Sequence, residues 1–148
     1  MFQISARAPF ALTLIGCSLL AGCFGGSAEH IERASVSGTV TFDGKPLPTG
    51  NILFVPDVDA SGNPLRGKAV QATITDGAYT IPAEQGPAVG NNKVQITATR
   101  KTGKFQESDG QKIEIEKQYL PAKYNASTTL KQDIAAGENT ADFTLEAK

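Results

Sequence analysis

The sequence predicts an all-β domain, a seven-strand antiparallel β-sandwich, behind a short N-terminal leader. Three observations carry that prediction. From residue 34 onward the apolar residues recur with a period of two, not 3.6. The apolar runs are short and separated by Gly, Pro, Asp and Asn. And 148 residues with 40% hydrophobic and 20% charged side chains suffice for one ordinary domain, without the composition of a disordered chain.

The strands follow in order. Val36, Gly38, Val40 and Phe42 alternate with Ser37, Thr39 and Thr41, giving the first strand one apolar and one polar face. It ends at Asp43-Gly44-Lys45-Pro46. Residues 51–55 form a second, more apolar run closed by Pro56, and residues 69–75 place Val70, Ala72 and Ile74 on one face. Asp76-Gly77 suits a tight hairpin because both central positions of such a turn take positive φ, and Tyr79 and Ile81 continue on the fourth strand. Residues 93–100 alternate through Val94, Ile96 and Ala98; Leu130 and Ile134 mark a sixth strand; after a turn at Gly137-Glu138-Asn139, Ala141, Phe143 and Leu145 mark a seventh. The expected core is Val36, Val40, Phe42, Ile52, Phe54, Val70, Ile74, Tyr79, Ile81, Val94, Ile96, Ile134, Phe143 and Leu145. No helix is expected.

The first residues carry an address. Arg7 is the only charged residue among the first seven, and residues 8–28 contain no Asp, Glu, Lys, Arg or His. The apolar stretch 10–23 is shorter than the roughly 20 residues that span a bilayer. A positive start, a short apolar middle and a small-residue exit is the pattern of an export signal. The exit, Leu20-Ala21-Gly22-Cys23, resembles the lipobox of bacterial lipoproteins, which implies cleavage before Cys23 and lipid on its sulfur. A thiolate is the nucleophile that such a transfer needs. Leu14-Ile15-Gly16-Cys17 is a second partial match, but a cut there leaves only residues 8–16 as the apolar region; Cys23 is preferred. The expected organisation is a signal peptide (1–22), a lipidated Cys23 and flexible tether (23–33), and the sandwich (34–148). The domain then sits on the extracytoplasmic side of a membrane in the bacterial cell envelope, held by acyl chains that contribute about 0.8 kcal/mol per buried methylene.

Within the body, Gly38-Thr39-Val40, Asp43-Gly44-Lys45-Pro46-Leu47 and Thr49-Gly50-Asn51-Ile52 resemble the opening of carboxypeptidase regulatory-like domains, members of the transthyretin-like sandwich group. Thr75-Asp76-Gly77-Ala78-Tyr79-Thr80-Ile81 resembles that family's turn before an inward Tyr, although the copy here is shorter than the usual form. The stretch from Leu120-Pro121-Ala122-Lys123-Tyr124-Asn125 to Leu130, with Gly137-Glu138-Asn139 and Phe143-Thr144-Leu145, is similar to the ending of small bacterial lipoproteins built on this domain. The spacing also suits an immunoglobulin-like sandwich. What the resemblance implies is a non-catalytic module used for stability or contacts, with no cofactor.

Other chemistries find little footing. A net charge of −1 offers no field for a phosphate backbone, so nucleic acid is excluded as a partner. The enzymes of the transthyretin-like group rely on several histidines, whereas His30 is the sole histidine of the chain and falls in the tether. A hydrolase on this scaffold is the rival reading, and a glycan-binding module a special case of the first. Asp57, Asp59 and Ser61 mimic the first half of a calcium loop, but the twelfth position, where such loops place a bidentate Glu, is Lys68. They are a weak metal candidate, and a polar hairpin loop is the preferred reading. Residues 101–129 exceed an ordinary sandwich connection. Within them Lys112-Ile113-Glu114-Ile115-Glu116-Lys117 alternates like an edge strand. Phe105, Tyr119 and Tyr124 are a candidate contact surface for an envelope protein or glycan, with Tyr124 better suited to tying the loop to the sheet.

Overall fold

A computed structural model of the chain describes residues 30–59 and 61–148. Residues 1–29, with the leader, Cys17 and Cys23, lie outside the described residues. The fold is all-β, curled sheets in a sandwich-like arrangement, with two short 3-10 turns at Ala83–Gln85 and Ala122–Tyr124.

Among the described residues there are eleven strands where the sequence pattern suggests seven: β1 (Ser35–Phe42), β2 (Lys45–Pro46), β3 (Thr49–Pro56), β4 (Val70–Thr75), β5 (Ala78–Ile81), β6 (Gly90–Thr97), β7 (Thr99–Ser108), β8 (Gln111–Gln118), β9 (Lys131–Ile134), β10 (Glu138–Thr140) and β11 (Phe143–Leu145). Each expected strand has a counterpart; β2, β7, β8 and β10 are additional. The main ladder runs β10-β1-β5-β4-β3-β6-β9, with β11 and β2 also on β1, while β7 and β8 pair only with each other. Pairing is antiparallel except along β1, where β10 and β11 dock parallel. Nothing local constrains that pair: the first and last strands are joined through the whole domain, so no tight turn dictates their direction.

Three hairpins turn on the same dipeptide. Asp43-Gly44, Asp76-Gly77 and Asp109-Gly110 all take positive φ at both residues, 49 to 51° at Asp and 76 to 78° at Gly. They are two-residue connections between Phe42 and Lys45, Thr75 and Ala78, and Ser108 and Gln111. That geometry matches the right-handed twist of the strands it joins.

The core is the set of inward residues of this curled ladder: Val36 and Val40, Ile52 and Phe54, Ile74, Tyr79 and Ile81, Val94 and Ile96, Ile134, Phe143 and Leu145. Phe42 and Val70, expected inside, are only partly buried against it, and Leu47, Ala98, Leu120 and Tyr124 join it. Leu47 sits just past the β2 hairpin, where no alternation exists to reveal it.

β1 changes partner midway. Residues 35–37 lie along β10 and residues 40–42 along β11. At the break the Asp142 carboxylate accepts the Thr39 N–H at 2.7 Å and the Thr39 hydroxyl at 2.8 Å. Those bonds hold the Asp142 carboxyl below the usual carboxylate range. Gly38 lies directly opposite Tyr79 in the β1–β5 register, and the Tyr79 hydroxyl donates to the Ala141 carbonyl at 2.7 Å. One glycine, one tyrosine and one carbonyl thus knit β1 and β5 to the segment between β10 and β11.

Candidate functional site

β6 and β7 are separated only by Ala98. At Thr97 the strand is still paired to Asn51, but β3 begins at Thr49, so the sheet soon runs out of partner. The chain continues outward and folds back on itself as β7–β8, a ribbon whose ten-residue strand reaches about 33 Å at ordinary strand rise. Its base is fastened by the Ala98 N–H to the Gln118 side-chain oxygen at 2.8 Å and the Tyr119 N–H to the Ala98 carbonyl at 3.2 Å. All of β7 is exposed, and of β8 only Glu114 and Gln118 are half-buried.

The ribbon has two faces. Thr99, Lys101, Phe105 and Glu107 share one with Gln118, Glu116, Glu114 and Lys112, their cross-strand partners. Lys101 Nζ lies 3.3 Å from the Glu114 carboxylate, and the Thr99 hydroxyl donates to Glu116 at 2.7 Å. The other face carries Ile113 and Ile115. A bulge at residues 102–104 faces Ile115, with Gly103 at φ 72°. Phe105, Ile113 and Ile115 are the exposed large hydrophobics of the described residues, at 60, 47 and 37%.

The three aromatics considered from sequence do not form one surface. Phe105 is out on the ribbon. Tyr119 is half-buried, edge-on to Phe42 at 5.8 Å and beneath the Arg100 guanidinium. Tyr124 is buried; its hydroxyl accepts the Glu146 N–H at 2.9 Å and its ring lies under Lys123. Tyr124 therefore ties the returning chain to the last strand and offers little to a partner. The edge strand expected at 112–117 exists as β8, paired with β7 and not with the sandwich. Its partner escaped because residues 101–108 lack apolar alternation, yet Asp109-Gly110 was a readable signal.

Residues 32–34 join the body at the opposite end. The Glu32 carbonyl accepts the Val89 N–H at 3.0 Å, Arg33 bridges to Ala88, and the Ala34 N–H reaches the Pro87 carbonyl at 3.2 Å. Glu32 and Arg33, assigned to the tether, thus already grip the body. Those contacts adjoin Gly90, the first residue of β6, while the ribbon departs beyond Thr97, the last; the eight residues between span about 26 Å.

Asp57 and Asp59 do not converge. The Asp57 carboxylate meets Lys131 Nζ at 2.6 Å, an ion pair that, with nearby Lys93, holds its carboxyl below the usual range. Asp59 turns into its own loop, accepting from the Asn63 N–H at 2.9 Å, the Asn63 side-chain amide and the Ser61 N–H at 2.8 Å, which likewise lowers its carboxyl. Ser61 contributes its backbone to that turn. Among the described residues no group of three His, Cys, Asp or Glu side chains stands close enough to hold a metal.

No family model, no curated protein and no solved structure matches the chain.

A ribbon that buries little should be dispensable for folding. Arg100 and Lys117 are opposite each other, so replacing residues 101–116 with Asp-Gly closes the stem with the turn used elsewhere. Thermal unfolding of that variant should stay cooperative and shift by less than about 1 kcal/mol, since an isolated two-stranded ribbon is marginal by itself; loss of the transition would place the ribbon in the core.

Proposed function

We propose that this chain is an exported lipoprotein whose β-sandwich, anchored through lipid on Cys23, serves as a non-catalytic binding or structural module at the cell envelope, with the β7–β8 ribbon as its contact element. The observation that carries the reading is the polarity of the body: the ribbon, with Phe105, Ile113 and Ile115 exposed, leaves the end opposite the one where the tether arrives. A domain held by an N-terminal lipid would keep that ribbon clear of its own anchor, open to a contact at the envelope. The resemblance to carboxypeptidase regulatory-like domains draws support from Gly38 and Tyr79, two of its motif residues, meeting at one carbonyl. The non-catalytic reading is favoured because the acidic groups with shifted acidity, Asp57, Asp59 and Asp142, are each committed to Lys131, a loop turn or Thr39.

The anchor is tested by Cys23→Ala. The variant should lose acyl labelling and move from the membrane to the soluble fraction while its unfolding transition is unchanged. Continued membrane association of Cys23→Ala would overturn the reading.

A further inference from the structure

We infer that the free edge of β8 is an interface for a second copy of this chain. The inference rests on the ribbon being the contact element and names what it contacts. The Asp109-Gly110 turn has two residues, so Ser108 and Gln111 exchange both backbone bonds, and alternate residues of β8 then direct their backbone toward β7. The pattern holds past the bulge: the Ile115 carbonyl accepts the Thr102 hydroxyl at 2.7 Å, and the Tyr119 N–H donates to Ala98. Lys112, Glu114 and Glu116 accordingly direct their N–H and C=O groups outward, to an edge that no described strand occupies.

An unoccupied edge is normally guarded by charge. Here the charges are self-complementary. Two antiparallel copies of β8 can exchange backbone bonds only where outward residues oppose outward residues, which restricts the registers to those pairing even-numbered positions with even. Centred on Glu114, this register opposes Lys112 with Glu116 of the second copy, and the reverse, on one face. On the other face it opposes Ile113 with Ile115, again twice, in the closely spaced non-hydrogen-bonded pairs where side chains meet best. Four exposed isoleucines thereby cover one another. The Glu114 residues meet at the dyad, each already bridged by its own Lys101 at 3.3 Å. Sliding one step in one direction opposes Glu114 to Glu116 twice; the other direction opposes Lys112 to Glu114 but sets each Ile115 against Gln111 and shortens the paired stretch of β8 to residues 111–115. The result is a closed, two-fold symmetric four-stranded ribbon with the sandwich bodies at its opposite ends, and it relieves the marginal stability of an isolated two-stranded one.

Sedimentation of the full chain in detergent solution with reductant, over a concentration series, should show a reversible monomer–dimer equilibrium. Lys112→Glu and Glu116→Lys should each weaken it by about tenfold, because each converts two attractive pairs into two repulsive ones. The double variant should return to within about threefold of the original. Within one ribbon Lys112 faces Glu107 and Glu116 faces Lys101, so the double variant accumulates both intrachain repulsions, and only pairing across copies can rescue it. A chain that remains monomeric throughout, or a double variant as weak as the singles, would overturn the inference. If the chain is monomeric while Cys23→Ala still leaves the membrane, the self-pairing fails and the lipoprotein reading stands.

Discussion

Gly38→Ala is expected to lower the unfolding free energy by about 3 kcal/mol, a fall in melting temperature on the order of 10 °C for a domain of this size. Gly38 sits mid-strand with extended backbone, so conformational strain is not the cause. A Cβ there would stand 1.9 Å from the Ala141 carbonyl oxygen and 2.6 Å from its carbon. Both are backbone atoms and have little freedom to yield. Ala141 is held from two sides, its N–H on the Ser37 carbonyl at 2.9 Å and its carbonyl on the Tyr79 hydroxyl. To admit the methyl group, β1 must part from the segment joining β10 to β11. Gly44→Ala is the control: φ is 76° and nothing lies within 4 Å of an added Cβ, so it should cost only about 1 kcal/mol of backbone strain. Comparable melting temperatures for the two variants would show that the close approach at Gly38 does not govern stability.

Tyr79→Ala should cost about 3–5 kcal/mol, by analogy with other buried aromatic truncations, and Tyr79→Phe about 1–2 kcal/mol. The first removes a ring that packs 6.2 Å from Phe54, centre to centre. The second removes only the hydroxyl and leaves the Ala141 carbonyl short of a donor. The pair separates packing from hydrogen bonding. Burial, and secondarily the nearby Asp142 carboxylate, push the Tyr79 hydroxyl above its ordinary value. The folded chain therefore keeps a proton that the unfolded chain releases above about pH 10. Stability is fully present below that pH and falls as pH rises beyond it; Tyr79→Phe should flatten this alkaline slope, as read by urea unfolding at several pH values. An unchanged slope would mean that Tyr79 ionises as freely folded as unfolded. Since Gly38 faces Tyr79 across β1–β5, the double variant Gly38→Ala/Tyr79→Ala should fall short of the sum of its parts.

Much of the fold was legible because its signals are local. Alternation in residues 36–42 and 93–100 and the Asp-Gly turns each report on neighbours within a few residues. The inward Tyr79 was legible; that its hydroxyl ends on Ala141, 62 positions away, was not. The contact site was half legible. Ile113 and Ile115 stood out as an alternating strand, whereas Lys101, Thr102, Gly103 and Lys104 gave no hint that they form its partner, because a ribbon exposed on both faces has no reason to alternate. Tyr119 and Tyr124 were conspicuous as aromatics, but composition cannot say whether a ring after a hairpin packs inward or outward.

By itself, the sequence determined that this body is built of strands, where most of them lie and which side chains form its core, since strand periodicity and turn chemistry are properties of short segments. Tertiary structure alone decided that the final strands dock parallel to the first, that β8 belongs to a projecting ribbon, and that this ribbon leaves the body at the end opposite to residues 32–34. Those outcomes depend on pairings such as Ser35 with Glu138 and Val40 with Phe143, which unite residues about a hundred positions apart and are selected by the shape of the whole core, not by any stretch of neighbours.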